Sequence, residues 1–129
     1  MIPKFRAWDK RKQLMREVAV LDFNKNGNVS GIEYWKTPYD LQSIHANYIN
    51  VMQSTGLKDK NGVEIFEGDV CEWHIPDMGR PEPDAMIRYV SVVEYRNGSF
   101  NLSGYLFPNV RLIKVIGNIY ENPELLEVE

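Results

Sequence analysis

The stretch TGLKDKNGVEIFEGDV, Thr55 to Val70, decides the fold. It holds an Asn61-Gly62 pair, an apolar Ile65-Phe66 pair and a second glycine corner at Gly68-Asp69. Asn-Gly closes a tight turn because both residues tolerate positive φ, and the run VEIFEGDVCEWHI then returns as a strand bent at Gly68. With its two glycine corners, the stretch reads as a corner of small β-structure rather than as an active site.

The same signals recur on both sides. KFRAW alternates as a short strand, with Phe5 and Trp8 near its ends. LMREVAVLDF (Leu14 to Phe23) reads as one strand running into NKNGNVSGIEYW, where Asn26-Gly27 suits a type I′ hairpin and sets Leu21 opposite Ile32. Thr37-Pro38 is a break. After it, YDLQSIHANYI places Leu41, Ile44 and Tyr48 at a helical spacing, and one or two turns of helix are expected there. YINVMQST is a further strand, Ile49 to Ser54. In VSVVEYRNGSFNL, centring a turn on Asn97-Gly98 puts Tyr95 opposite Phe100 and Val93 opposite Leu102 on one side of the sheet. Pro76 to Ala85, with three prolines, a glycine and four charged residues, is an exposed loop long enough to act as a contact surface. VRLIKVIGNIY is apolar on both faces and is expected at a sheet centre. ENPELLEVE closes the chain with Asn122 as cap, Pro123 at the first helical position and Leu125 and Leu126 docking a single turn. A mainly β chain follows: a small bent barrel with an N-terminal β-hairpin layer and short helical turns.

The 129 residues suit one domain, open to subdivision into 1–47 (hairpin and short helix) and 48–129 (barrel). With 43% apolar residues and fifteen aromatics, the chain can build its core without a disulfide or a metal. Cys71 is the single cysteine. There is no apolar run of about 18 residues, and MIPKFRAWDKRK lacks a signal-peptide core, so a cytoplasmic protein is expected.

The net charge of −3 is unevenly spread. Residues 1–16 carry six bases (Lys4, Arg6, Lys10, Arg11, Lys12, Arg16) against Asp9, a balance of +5, and the remaining nine bases and 17 acids give −8. Lys4, Arg6, Trp8, Lys10, Arg11 and Lys12 are therefore the candidate contacts for an anionic partner, although Lys10-Arg11-Lys12 also fits a plain solvated turn. Phe5 and Trp8 among these bases could stack the bases of a single strand, or simply anchor the N-terminal strand.

Catalytic and metal chemistry find little support. Asp69, Cys71 and Trp73 point to one side of a strand and Val70, Glu72 and His74 to the other, so Cys71 and His74 form no thiolate–imidazole pair. Cys71 beside Trp73 reads as a core residue. His45 and His74 fall in no metal-ligand spacing. Glu64, Glu67, Asp69 and Glu72 suit solvated strand edges better than an acid–base site. No catalytic residue, cofactor or metal is expected. A small enzyme using Asp69, Glu72 or His74 is the least favoured alternative.

Three segments, IPKFRAWDK, MQSTGLKDKNGVEIFEGDV and VIGNIYENPELL, together resemble the YopX family of bacteriophage and prophage proteins. The resemblance spans the chain, while Gln13–Tyr48 and His74–Arg111 look particular to this member. It implies a mainly β, phage-encoded protein similar to SH3-type barrels, with no catalytic residues to carry over. Gly56, Asn61, Gly62, Glu67, Gly68 and Asp69 match the central motif, and Gly117, Asn118, Asn122 and Pro123 the C-terminal one. These are residue types that turns and caps need. The expected function is that of a non-enzymatic accessory protein that binds or self-associates. A homo-oligomer is the expected assembly and a host or phage protein a further partner. A nucleic-acid-associated factor is a less favoured alternative, and no membrane is involved.

Overall fold

The structure, a computed structural model, describes residues 3–126; Met1, Ile2 and Glu127 to Glu129, with the ends of the motifs quoted above, lie outside the described residues. The chain forms two compact units, Met1–Gln53 and Ser54–Glu129. The division falls inside a strand, beyond the 47/48 subdivision suggested by the sequence.

The first unit begins with β1 (Phe5–Asp9), β2 (Leu14–Glu17), β3 (Val20–Phe23), β4 (Val29–Thr37) and β5 (Asp40–His45). A single 3₁₀ turn (Ala46–Tyr48) leads into β6 (Ile49–Lys58). β1 pairs antiparallel with both β2 and β6, and β3, β4 and β5 form a three-stranded antiparallel sheet. Leu21, Ile32 and Ile44 lie in one cross-strand row. Packed with Ala7, Ile49, Val18, Tyr34 and Val51, they make the core of this unit. Gly31 is required by the close approach of β4 and β5: a Cβ there would lie 2.6 Å from the Ile44 carbonyl oxygen.

Two expectations fail here. Leu14 to Phe23 is two strands, because the chain changes partners at Val18-Ala19. The Val18 N–H donates to the Phe5 carbonyl and the Ala19 N–H to the Glu33 carbonyl. Alternation of residue types carries no mark of such an exchange. The expected helix over Tyr39–Ile49 is instead β5 and one 3₁₀ turn. Leu41 and Ile44 pair with Trp35 and Ile32 of β4, and cross-strand burial overrides a short helical spacing.

In the second unit the later part of β6 pairs with β7 (Glu64–Phe66). Then come β8 (Asp69–Pro76), β9 (Met86–Arg96), β10 (Ser99–Leu102), β11 (Tyr105–Leu106) and β12 (Arg111–Asn118), in the sheet order β11-β10-β9-β8-β12. Short 3₁₀ turns cover Phe107–Asn109 and Pro123–Leu126. Ile65, Cys71, Trp73, Val93, Leu102, Phe107 and Val110 form the core. The buried Trp73 indole N–H donates to Ser91 Oγ at 3.0 Å, so its polar atom is satisfied.

The β9–β10 hairpin has the expected register, Tyr95 against Phe100 and Val93 against Leu102. Asn97 and Gly98 both take positive φ (54° and 83°), as a type I′ turn requires. The Pro76–Ala85 stretch is an exposed loop apart from its strand-end residue and closing contacts. β12 corrects a further expectation: it lies at the edge of its sheet, not the centre. Its ladder with β8 is broken by two irregularities, one at Leu112 with φ +54°. Such distortions protect an edge from further pairing. The mainly β class is what forms, while the SH3-like label rests on the resemblance, since the strand orders are those of open sheets.

Candidate functional site: a basic and aromatic face organised by Asp9

Asp9, the single acid among the first sixteen residues, ends β1 with its side chain fully buried. One carboxylate oxygen accepts the N–H groups of Arg11 (3.0 Å) and Lys12 (3.2 Å) and so builds the β1–β2 turn. The other accepts from Arg16 Nη2 at 3.3 Å and Nε at 3.4 Å. The turn is closed by the Gln13 N–H on the Asp9 carbonyl, with Gln13 at φ +56°. Burial pushes the Asp9 carboxyl up, but the Lys12 and Arg11 N–H groups, the Arg16 hydrogen bond and the Arg11 charge outweigh it and hold the group below the usual carboxylate range.

Both arginines held by this carboxylate lie over tyrosine rings, Arg11 5.0 Å from the centre of Tyr48 and Arg16 4.3 Å from that of Tyr34. Tyr48, Arg11, Asp9, Arg16 and Tyr34 thus form a continuous array of ion-pair and cation–π contacts. Beside it opens a cleft of about 420 Å³ lined by Met15, Arg16, Glu17, Val18, Ala19, Tyr34 and Trp35. Trp35 is 59% exposed.

The predicted contact residues divide sharply. Lys4, Lys10, Arg11 and Lys12 are exposed and Arg6 is half-buried. Trp8 is only 6% exposed, so it anchors β1 and offers no ring to a partner. The aromatics that reach solvent on this unit include Trp35 and Tyr48. Period-two alternation could have found Trp35, since it faces away from Ile32 on β4. The Arg16–Asp9 pair had no comparable signal, because it depends on the β1–β2 register.

The second unit scatters its titratable groups. Cys71 and Asp69 are buried, Cys71 in the core and Asp69 with its carboxylate accepting the Phe66 N–H at 2.7 Å. Glu72 lies toward the other face and pairs with Arg88 at 2.9 Å. The hydrogen bond from Arg88 comes first in lowering its carboxyl, with the charges of Arg88, His74 and Lys114 adding against desolvation. His74 pairs across the ladder with Arg88 and Arg111. No group of three or more acidic, histidine or cysteine side chains suited to a metal occurs among the described residues.

The motif residues build corners. Gly56, Gly62 and Gly68 have φ of 78°, 82° and 86°. Asn61 donates its N–H to Asp59, and Glu67 and Gly68 connect β7 to β8. Gly117 leaves room for Asn122 and Leu125, which a Cβ would meet at 2.5 and 2.8 Å. Asn118 accepts the N–H groups of Tyr120 and Glu121, and Pro123 opens the last 3₁₀ turn. The Asn122 side chain accepts the Asn118 N–H at 3.3 Å.

Residues 4–127 match the family model described as YopX protein. The fold is similar to that in the crystal structure of protein EF1440 from Enterococcus faecalis, at 34% sequence identity and a TM-score of 0.67, covering 98% of this chain and 99% of that one. No curated protein matches the chain.

Proposed function

The chain belongs to the YopX family, and on that footing we propose that it is a non-enzymatic accessory protein of a bacteriophage or prophage, a binding module acting in the host cytoplasm. Its first unit is the part that engages an anionic partner. The observation that carries this is the exposed Lys10-Arg11-Lys12 turn, fixed in shape by the buried Asp9 carboxylate. A cationic turn already ordered before binding loses little entropy when a partner arrives. No described helix is long and apolar enough to cross a membrane.

A second reading, self-association, is favoured by the charge division between the units. Residues 1–53 hold eight Lys or Arg and five Asp or Glu, a balance of +3; residues 54–129 hold seven and thirteen, a balance of −6. Opposite charge on two units of one chain favours contact between copies. Light scattering at about 0.05 M and about 0.5 M salt tests it: a mass that falls as salt rises is expected, and a monomer at both removes self-association. The broader reading is tested by Lys10→Glu with Lys12→Glu. This variant should lose retention on an anionic resin and recovery of partners from infected cells; unchanged recovery would refute the role of the turn.

A further inference from the structure

Resting on the anionic-partner reading, we propose that the cleft beside β2 receives an unpaired nucleobase, and that the partner is single-stranded nucleic acid. The argument starts from what the cleft lacks. Arg16 is the cation in its lining, and that charge is already matched by the Asp9 carboxylate, while Glu17 adds a negative charge to the wall. A phosphate or a carboxylate side chain entering there would meet no uncommitted positive group. A neutral planar group would meet Trp35, the Tyr34–Arg16 stack, Met15 and Val18, which all line the cleft. The volume of about 420 Å³ falls within the range of small-molecule sites.

Cations for the backbone stand on the same framework. The Asp9 oxygen opposite the one that holds Arg16 shapes the Lys10–Lys12 turn, so one buried carboxylate positions both the stacking wall and the phosphate contacts. Base stacking combined with backbone cations is the pattern of single-strand binding without strong sequence preference. A duplex keeps its bases stacked and paired, and so offers the cleft no unpaired base.

The three tryptophans make the test direct, since Trp8 (6% exposed) and Trp73 (0%) are shielded and quenching reports on Trp35. Titration with a dT oligonucleotide of about twelve nucleotides should quench tryptophan fluorescence saturably, and less so as salt rises. Anisotropy of the labelled oligonucleotide should show affinity falling about tenfold in Trp35→Ala, and largely retained in Trp35→Phe. Quenching of the unmodified protein needs no variant, so a misfolded Trp35→Ala leaves the proposal testable. Absence of dT binding, equal affinity for a duplex, equal competition by polyglutamate, or wild-type affinity in Trp35→Ala would each overturn it. If Lys10→Glu with Lys12→Glu abolishes binding while Trp35→Ala does not, the anionic-partner reading stands and the base pocket falls.

Discussion

Two turns, Asn24–Asn28 (NKNGN) in the first unit and Asp59–Val63 (DKNGV) in the second, are built alike to within a few tenths of an ångström. In each, the N–H of the first residue donates to the carbonyl of the fifth at 2.8 Å, and the glycine N–H donates back to the carbonyl of the first at 3.0 Å. In each, one side-chain oxygen of the first residue accepts the N–H groups of the third and fifth, at 2.9 and 3.1 Å for Asn24 and 2.8 and 2.9 Å for Asp59. The glycines match at φ +81° and +82°. The difference is one atom. The second oxygen of Asp59 accepts the Val115 N–H at 2.9 Å, fixing the turn to β12, while Lys60 donates its N–H to the Ile113 carbonyl at 2.9 Å. Asn24 is exposed, and among the described residues its hydrogen bonds stay within its own turn. Asparagine suffices where the side chain closes a corner, and aspartate is needed where it must accept from the turn and from a distant strand at once.

The sharpest test of that contrast is Asp59→Ala. It removes three hydrogen bonds to a buried carboxylate and leaves the Val115 N–H unpaired, and is expected to cost about 3 kcal/mol in urea denaturation. Asp59→Asn comes next. Its amide oxygen can keep the turn, but its NH₂ meets another donor at Val115, for a loss of about 2 kcal/mol.

That variant should also flatten the acid limb of the stability curve. Burial raises the Asp59 carboxyl, but the Val115, Val63 and Asn61 N–H groups and the Lys60 charge bring it below the usual range. A depressed acid contributes stability that is fully present above its unfolded value, about pH 4, and lost as pH falls through the folded one. Wild type should lose that contribution on acidification and Asp59→Asn should have none to lose. Equal acid limbs would break the comparison.

Gly27→Ala and Gly62→Ala should be nearly equal, at about 1 kcal/mol each. No atom lies within 4 Å of a Cβ at either site, leaving only the backbone cost of positive φ. A marked inequality would mean that the two turns differ in more than the second oxygen. The smallest effect, about 0.5 kcal/mol, is expected for the exposed Asn24→Ala.

The turns also mark how far the sequence can be read. The β9–β10 register, the Leu21–Ile32 pairing and the glycine corners were legible because Asn-Gly pairs and alternation are local signals. The turn type at residues 24–28 was not. Only Gly27 takes positive φ there, with a register shift between Asp22 and Phe23, so the corner is bulged rather than type I′. The position of β12 was illegible for a different reason. Its apolar residues suggested a sheet centre, while its edge is met by Asp59 and Lys60 of a turn more than fifty residues earlier in the chain. At the candidate site the basic turn could be read directly. The exposed ring is Trp35, which alternation against Ile32 could have indicated, whereas the burial of Trp8 showed only in the tertiary packing of β1.

The long β8–β9 ladder gives the Pro76–Ala85 loop an unusual freedom. Pairs run unbroken from Val70 and Val92 to Pro76 and Met86, and the Asp77 N–H closes the loop on the Ala85 carbonyl at 2.8 Å. The covalent link across its tip is therefore redundant for the pairing of these strands, and a protease nick or an inserted tag at Gly79 should leave them zipped together. The same redundancy makes this loop a natural point for splitting the protein into complementing halves.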